Sequence, residues 1–243
     1  MTDNPTTTQA SQLPLNRIVV YALTYTYKSV RFRSSTISEI WGIGMREDSK
    51  AARRAQIERA AYKLLKERGY GGTSMLGIAK EAKASNETLY RWYGDKKGLF
   101  KTMVENNARM TKTALDAAIR DEADPLATLE NVAPILLSML LGERAISLNR
   151  AAASDESGEL GAAIAAGGRD SVFPLIEKLI QRGLERSALT APSARMAADW
   201  FLNLLIGDLQ IRRVIGTLPV PSDKDIHSRV AAAVSAFRKL CST

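Results

Sequence analysis

Histidine and cysteine are almost absent from this sequence of 243 residues, which contains only His227 and Cys241. A disulfide framework needs at least two cysteines, and a Cys/His zinc cluster needs several ligands, so both are excluded. A Ser/His/Asp or Cys/His catalytic arrangement would have to be built on that single histidine. Most hydrolase and redox chemistries therefore lack their usual residues, and we expect neither a cofactor nor a metal.

Long apolar runs are missing as well. The longest uncharged, apolar-leaning stretches are residues 18–27 and 131–142, whereas a membrane-spanning helix needs roughly 20 residues. No basic residue precedes Arg17 and no small-x-small cleavage site follows the first stretch, so we expect no export signal. These observations predict a cytoplasmic protein without a membrane partner.

Apolar residues are nevertheless frequent enough to form a core, because 45% of the residues are hydrophobic and 25% are charged. This composition excludes global disorder.

Lys and Arg outnumber Asp and Glu by 34 to 26. Residues 45–112 carry sixteen bases and eight acids, whereas residues 113–243 carry fourteen and sixteen. This asymmetry indicates a polyanion-binding module joined to a mildly acidic one, although a solvated helical face would explain the charge alone equally well.

The spacing of apolar residues is helical from Lys50 onward. It predicts a first amphipathic helix that ends at Gly69, which suits a left-handed position after a helix. Two short helices follow over residues 74–82 and 86–93, and a long fourth helix starts after Asp95. Two short helices flanked by two longer ones form a helix-turn-helix bundle.

The remainder of the sequence also shows helical periodicity, interrupted at segments rich in Gly, Pro, Ser and Asp. These further segments are residues 126–141, 145–152, 160–166, 170–185, 194–215 and 223–241. Without any alternating strand pattern, the sequence predicts an all-α protein in three parts. The parts are a poorly ordered extension (1–49), a basic helix-turn-helix domain (50–112) and, joined by a long helix, a C-terminal helical bundle (113–243). Alternatively, Met45 is the natural start of the chain.

The third predicted helix has side chains that can read DNA. Ser85 can cap it by accepting a hydrogen bond from an otherwise unpaired amide. Asn86 and Thr88 follow, and Arg91 lies one turn along from Thr88. In the major groove, arginine bonds guanine O6 and N7, and asparagine reads adenine. Phosphate contacts on the flanks would come from Tyr90, Trp92, Lys96 and Lys97.

Residues 69–74 (GYGGTS), 78–82 (IAKEA) and 84–100 (ASNETLYRWYGDKKGLF) resemble the DNA-binding domain of the TetR/AcrR family of bacterial transcriptional regulators. The resemblance extends from about Lys50 to Val104. It implies that the sugar-phosphate backbone is held by Thr73, Ser85, Thr88, Tyr90, Trp92 and Lys96. It places Asn86, Glu87 and Arg91 nearest to base edges, and it makes Leu89, Tyr93, Leu99 and Phe100 core residues.

Two positions depart from the family pattern. Lys83 stands where many members have the turn glycine, which affects the expected conformation of the turn. Glu87 replaces a frequent glycine at the start of the recognition helix. A carboxylate there repels phosphate, but it also stabilises a helix N-terminus and could accept a hydrogen bond from cytosine N4.

Residues 146–153, 183–184 and 197–207 are similar to the C-terminal domain of the AefR-like subgroup of these regulators. This resemblance implies a homodimer, for which residues 170–185 and 194–215 are the candidate helices, and a cavity for a small hydrophobic effector. The candidate effector contacts are Met139, Asn149, Arg150, Phe173, Asp199 and Trp200. For Met139, Phe173 and Trp200, the alternative is ordinary packing in the core. For Asn149, Arg150 and Asp199, the alternative is hydrogen bonding between helices of the bundle.

The resulting hypothesis is a sequence-specific transcriptional regulator, a repressor in most members, that binds double-stranded DNA as a homodimer. Its operator should be an inverted repeat, and a small-molecule effector should release it. A nonspecific architectural DNA-binding protein is the first alternative, and an enzyme is the second. Against an enzyme stand the absence of a phosphate-binding loop and the scarcity of histidine and cysteine.

Overall fold

The computed structural model describes the backbone of residues 34–241 and the side chains of residues 48–241. Residues 1–33, most of the predicted extension, lie outside the described residues. The helices are α1 (Ser34–Arg68), α2 (Met75–Glu81), α3 (Asn86–Tyr93), α4 (Lys96–Arg120), α5 (Pro125–Leu141), α6 (Glu143–Ala153), α7 (Glu159–Ile164), α8 (Asp170–Glu185), α9 (Ala194–Ile206), α10 (Leu209–Val214) and α11 (Asp223–Leu240). A π-helical turn, Ala165–Arg169, joins α7 to α8. The described residues contain no strand, which confirms the all-α prediction.

Helix α1 begins at Ser34 rather than at Lys50, where the sequence pattern predicts its start. Residues 34–49 are therefore helical, although the sequence analysis places them in the poorly ordered extension. By its internal contacts, the chain divides into residues 1–52 and residues 53–243. Every feature described below belongs to the second of these units.

Local capping explains the short helices of the N-terminal half. Gly69 has a φ of 68° and ends α1, as predicted. The Ser74 hydroxyl accepts a hydrogen bond from the Gly77 amide at 3.1 Å and so starts α2. Lys83, in the turn before α3, has a φ of 48°. The turn thus keeps the left-handed conformation that favours glycine, although the residue is a lysine.

The core of the N-terminal half is filled by apolar side chains of α1 to α4, and α6 and α7 close it with Leu148, Ala151 and Leu160. Its fully buried members include Leu89, Leu99 and Phe100. Tyr93 is half-buried and packs against this core. Burial raises the pKa of the Tyr93 hydroxyl, whose oxygen has no hydrogen-bond partner among the described residues.

A second core occupies the C-terminal bundle. Helix α8 packs against this core with its buried face, which consists of Val172, Phe173, Ile176, Leu179, Ile180 and Gly183. Helices α9 and α11 pack against each other, and the rings of Phe201 and Phe237 meet edge to face with centroids 5.4 Å apart. Burial of one apolar face of each helix accounts for the bundle.

The predicted helix over residues 194–215 is interrupted. Helix α9 ends at Ile206, and α10 begins at Leu209. Gly207 between them has a φ of 50°, and a Cβ atom at this position would lie only 2.9 Å from Nη2 of Arg229. The break therefore depends on a left-handed backbone and on close approach of a side chain from α11.

No single helix in the described part of the chain is both long and apolar enough to cross a membrane. Helices α5 and α6 meet the length and composition requirement only together, and they are bent by 50° relative to each other.

Candidate nucleic-acid interface

Helix α3, the candidate recognition helix, begins with a side-chain cap. Ser85 is extended, and its hydroxyl accepts a hydrogen bond from the Thr88 amide at 3.1 Å. The hydroxyls of Ser85 and Thr88 also bond to each other at 2.7 Å. A helix of two turns gains little stability from its own hydrogen bonds, so this cap holds its first turn. The capping role predicted for Ser85 is confirmed.

The outer face of α3 is polar and exposed. Leu89 is its one fully buried residue. The side chains of Glu87 and Arg91 are 86% and 63% exposed, and Nη1 of Arg91 lies 3.9 Å from Oε1 of Glu87. An exposed ion pair at this helical spacing contributes only about 0.3 to 0.5 kcal/mol. Arg91 can therefore exchange this partner for a base edge with little loss.

Asn86 occupies the first position of α3 and is half-buried. Its amide oxygen is fully enclosed and has no hydrogen-bond partner among the described residues. An unpaired buried oxygen raises the free energy of a structure, so a donor that reaches it would stabilise the site.

Tyr90 and Trp92 flank this face. Tyr90 is 49% exposed, and Trp92 is half-buried with its ring edge to face against Tyr93. The guanidinium of Arg54, on α1, lies 5.6 Å from the centroid of the Trp92 ring. Helix α1 thus places a cation beside α3, a contact that the spacing of residues in the sequence does not predict.

Lys96 starts α4 beside the turn that follows α1. Its ammonium donates a hydrogen bond to the Tyr70 carbonyl at 3.1 Å and lies 4.0 Å from the centroid of the Tyr70 ring. Asp95 caps the same helix by accepting from the Gly98 amide at 2.7 Å. The lysine is therefore held at a helix N-terminus, where backbone amides favour anions.

Thr73 differs from the other predicted DNA contacts because it is 2% exposed. Its hydroxyl donates to the Gly69 carbonyl at 2.7 Å, so in this conformation Thr73 stabilises the turn instead of facing solvent. The remaining predicted residues lie on α3 or at the helix starts beside it: Ser85, Asn86, Glu87, Thr88, Tyr90, Arg91, Trp92, Lys96 and the exposed Lys97.

Tyr70 links this region to the C-terminal half. Its hydroxyl donates to Oε2 of Glu159, at the start of α7, at 3.1 Å. Burial, together with this hydrogen bond and the neighbouring negative charges, raises the pKa of Tyr70 well above its usual range. The family motif marks the glycine-tyrosine turn, but no local signal pairs it with a residue so distant in the sequence.

A cavity of about 370 Å³ lies in the C-terminal half and is lined by residues of α4 to α10 and of the π-helical turn. Met139, Asn149 and Phe173, three of the candidate effector residues, line it. Four lining residues are polar, namely Asn107, Asn149, Arg169 and Gln210. The others are apolar or glycine, which is the composition expected of a small-molecule site.

The other three candidate effector residues lie outside this cavity. Arg150 donates to the carbonyls of Val214 and Arg213 at 2.6 and 2.8 Å and so holds the end of α10. Asp199 forms an ion pair with Arg169 at 3.0 Å, and Trp200 packs against the bundle core. These side chains make the internal contacts that were the alternative explanation for them.

Buried Arg213 is a structural residue that the sequence analysis misses. It is 5% exposed, bonds to the carbonyls of Leu141 and Leu218 and lies 2.6 Å from Oε1 of Glu143. A buried guanidinium needs partners on all sides, and here they tie α5, α6 and α10 together.

Among the described residues, no three His, Cys, Asp or Glu side chains are grouped to hold a metal ion.

Two family models match this chain. Residues 57–103 match the model of the bacterial regulatory proteins of the tetR family, and residues 127–240 match that of the C-terminal domain of AefR-like transcriptional repressors. The first range contains α2 and α3, and the second runs from α5 to the end of α11.

One relative matches part of the chain. The HTH-type transcriptional regulator HbdR of Aromatoleum sp. (strain CIB) is 44% identical over 54 residues, which are 22% of this chain and 24% of that protein. The match thus spans about a quarter of the relative's length.

Two crystal structures cover most of the chain. A TetR transcriptional regulator from Agrobacterium tumefaciens is 28% identical, with a TM-score of 0.60, over 78% of this chain and 94% of the other. A TetR-family protein from Mesorhizobium loti shares the fold, with a TM-score of 0.64 at 24% identity over 79% and 98% of the two chains. With its capped helix-turn-helix and its AefR-like bundle, the chain belongs to the TetR family of DNA-binding transcriptional regulators.

Proposed function

We propose that this regulator binds an inverted-repeat operator in a sequence-specific way, as a homodimer, and represses transcription until a small molecule releases it. The observation that carries the proposal is the exposed polar face of α3, which a cap and one buried leucine, Leu89, hold on a filled core. Eight more bases than acids between residues 45 and 112 add the attraction to phosphate that DNA binding requires.

In this proposal, base edges are read by Asn86, Glu87 and Arg91. The exposed guanidinium of Arg91 suits the O6 and N7 atoms of guanine. The Oδ1 atom of Asn86 is enclosed in the free protein, so in this proposal Asn86 reads adenine after its side chain turns outward. The sugar-phosphate backbone is held by Ser85, Thr88, Tyr90, Trp92 and Lys96. We omit Thr73 as a side-chain contact, because its hydroxyl is buried against Gly69.

The dimer surface in this proposal lies on α9 to α11. Of the exposed large apolar side chains, Met196, Ile211, Ile215 and Val220 lie on α9, on α10 or in the segment after it. Helix α11 adds an exposed row of small residues, Ser228, Ala231, Ala232 and Ser235, which permits close helix packing. Helix α8, the other candidate from the sequence, exposes mainly polar side chains and Pro174, with Leu175 and Leu184 partly exposed, so it offers less apolar surface to a partner than α9 and α10.

Pairing of the bundles would present two copies of α3 to one face of DNA. Successive major grooves on that face are about 34 to 36 Å apart, so the two helices read half-sites one helical turn, or a multiple of it, apart. A two-fold axis in the protein implies an inverted repeat in the operator.

Release by an effector rests on α4, which joins the two halves. The helix starts at Lys96 beside the recognition helix and reaches the cavity wall with Val104, Asn107 and Ala108. A ligand that binds better when the two recognition helices have the wrong separation lowers DNA affinity. The coupling is reciprocal, so bound operator weakens ligand binding by the same factor.

Selection of bound fragments from random DNA by the purified full chain tests the proposal. We expect enrichment of one motif with two-fold symmetry. An enriched motif without symmetry would contradict the homodimer model. Equal retention of all sequences, with binding that only salt weakens, would instead identify an architectural DNA-binding protein.

A further inference from the structure

The polar groups of the cavity wall come from different elements. Asn107 lies on α4, Asn149 on α6 and Gln210 on α10, whereas Arg169 belongs to the π-helical turn. Each lies among apolar neighbours, so a bound molecule must either satisfy these groups or lose the free energy of their hydration. Their hydrogen-bonding state therefore determines which chemistry the cavity accepts.

Two of the amides have a determined orientation. Asn149 donates from Nδ2 to the Ala145 carbonyl at 2.8 Å, and Gln210 donates from Nε2 to the Leu140 carbonyl at 3.2 Å. A backbone carbonyl can only accept, so the nitrogen of each amide must face it. The amide oxygens, Oδ1 and Oε1, have no hydrogen-bond partner in the described part of the chain, which leaves two acceptors at the cavity.

Asn107 adds a third acceptor. Its Nδ2 lies 3.0 Å from the hydroxyl of Tyr62 and donates to it, so its oxygen is also left for a ligand. The three amides thus offer hydrogen-bond acceptors from three sides of a mostly apolar space, and they favour a ligand that carries donors.

The one charged side chain of the wall is already neutralised. Nη2 of Arg169 lies 3.0 Å from Oδ1 of Asp199, and its guanidinium stacks on Phe173 at 5.0 Å from the ring centroid. Only Nη2 of the guanidinium makes this pair, and both side chains are substantially exposed, so an anionic ligand would share Arg169 with the Asp199 carboxylate and would also face the three amide oxygens. The carboxylate and the amide oxygens oppose a negative charge inside the cavity.

We propose that the effector is a compact, neutral, largely apolar molecule with hydroxyl hydrogen-bond donors, a phenol or an alcohol. This inference rests on the proposed function, in which the cavity binds the effector. The volume of about 370 Å³ lies near the lower end of the range for small-molecule pockets, which favours a molecule of a few rings.

Three probes with one skeleton test the inference on the full chain by isothermal titration calorimetry: 4-phenylphenol, 4-methoxybiphenyl and biphenyl-4-carboxylate. The phenol donates a hydrogen bond, the ether only accepts one, and the carboxylate is charged. We expect the phenol to bind about tenfold more tightly than the ether, as one additional hydrogen bond to the protein predicts. The carboxylate should bind most weakly.

Replacement of the acceptors gives the matched variants. Asn149→Leu and Gln210→Leu remove the amide oxygens at nearly unchanged side-chain size, so each should shrink the tenfold preference for the phenol while the ether still binds. Retained binding of the ether shows that the cavity remains intact. The control is Asn131→Leu on α5, an exposed asparagine outside the cavity wall, which should leave the preference unchanged.

The results separate this inference from the proposed function. Equal or tighter binding of the ether, tightest binding of the carboxylate, or binding of none of the probes would each overturn the assignment of a neutral donor. If the probes bind without preference but release the selected DNA, the ligand class is wrong and the regulatory function stands. If the phenol binds best but leaves DNA affinity unchanged, the ligand class stands and release by an effector fails.

Discussion

The two halves of the described chain place their functional polar groups in opposite directions. Around α3, the interior is filled by apolar side chains, and Glu87 and Arg91 point outward. In the bundle, Asn149 and Gln210 line a cavity of about 370 Å³. A filled core holds one shape, which suits the reading of a rigid surface such as DNA. A cavity beside an irregular π-helical turn can be reshaped by a ligand, which suits regulation.

Truncation of core residues tests this contrast with the largest expected effect. Leu89→Ala, in the filled core, should lower the free energy of unfolding by about 2 to 5 kcal/mol. Met139→Ala enlarges an existing cavity and should cost roughly half of that or less, because Met139 is only partly buried. Urea denaturation of both variants measures the difference, and equal losses would mean that the two halves are packed alike.

Substitutions at the candidate interface test whether the outward groups of α3 carry sequence information. Arg91→Ala should weaken binding to the selected site by about 1 to 3 kcal/mol and relax specificity at one base pair. Lys96→Ala should weaken binding to all sequences alike. Arg59 is an exposed base on α1 outside the proposed interface. Arg59→Ala is therefore the matched control for the loss of one positive charge. Fluorescence anisotropy with cognate and scrambled duplexes distinguishes these outcomes, and unaltered discrimination in Arg91→Ala would refute the assignment to bases.

The pH dependence of stability tests the contact between α1 and the cavity wall. Burial raises the pKa of Tyr62 to about 12, whereas an unfolded tyrosine ionises near pH 10. The contribution of Tyr62 to the free energy of unfolding is complete below pH 10 and is lost as the pH rises to 12, because the Tyr62 hydroxyl loses its proton at a lower pH in the unfolded chain. Between pH 10 and 12, Tyr62→Phe should therefore lose less of its free energy of unfolding than the unsubstituted protein. The difference should be on the order of 1 to 2 kcal/mol. Parallel pH profiles from denaturation of both proteins would contradict it.

The turn before α3 offers the smallest effect. Lys83 has a positive φ, a conformation that is strained for lysine, so Lys83→Gly should stabilise the protein by about 0.5 to 1 kcal/mol. Lys83→Ala removes the same side chain without relieving the backbone, and it should bring no such gain. Thermal unfolding of the two variants separates backbone strain from loss of the charge.

The sequence predicts best what is decided locally. Ser85 caps the helix that it was expected to cap, the long fourth helix starts after Asp95, and Gly69 takes its left-handed conformation. Each of these depends on one side chain and the nearest amides, or on the freedom of one glycine. The exposed polar face of α3 follows from the same residues, so most of the candidate site could be predicted.

Features that depend on distant parts of the chain could not be predicted. The break at Gly207 depends on Arg229 from α11, and Arg213 is buried because α5 and α6 supply its partners. The Tyr70–Glu159 hydrogen bond likewise joins the two halves. A cavity is a property of how helices pack, so the sequence can suggest candidate residues for it but cannot say which of them line it.

The central claim is that two copies of α3 read one face of DNA at a fixed separation. The most direct test compares the affinity of the full chain for the selected inverted repeat and for the same repeat with about five base pairs, half a helical turn, inserted between its half-sites. We predict that the insertion reduces binding to the level of a single half-site, because one recognition helix then faces the wrong side of the duplex. Unchanged affinity for the lengthened site would contradict the account.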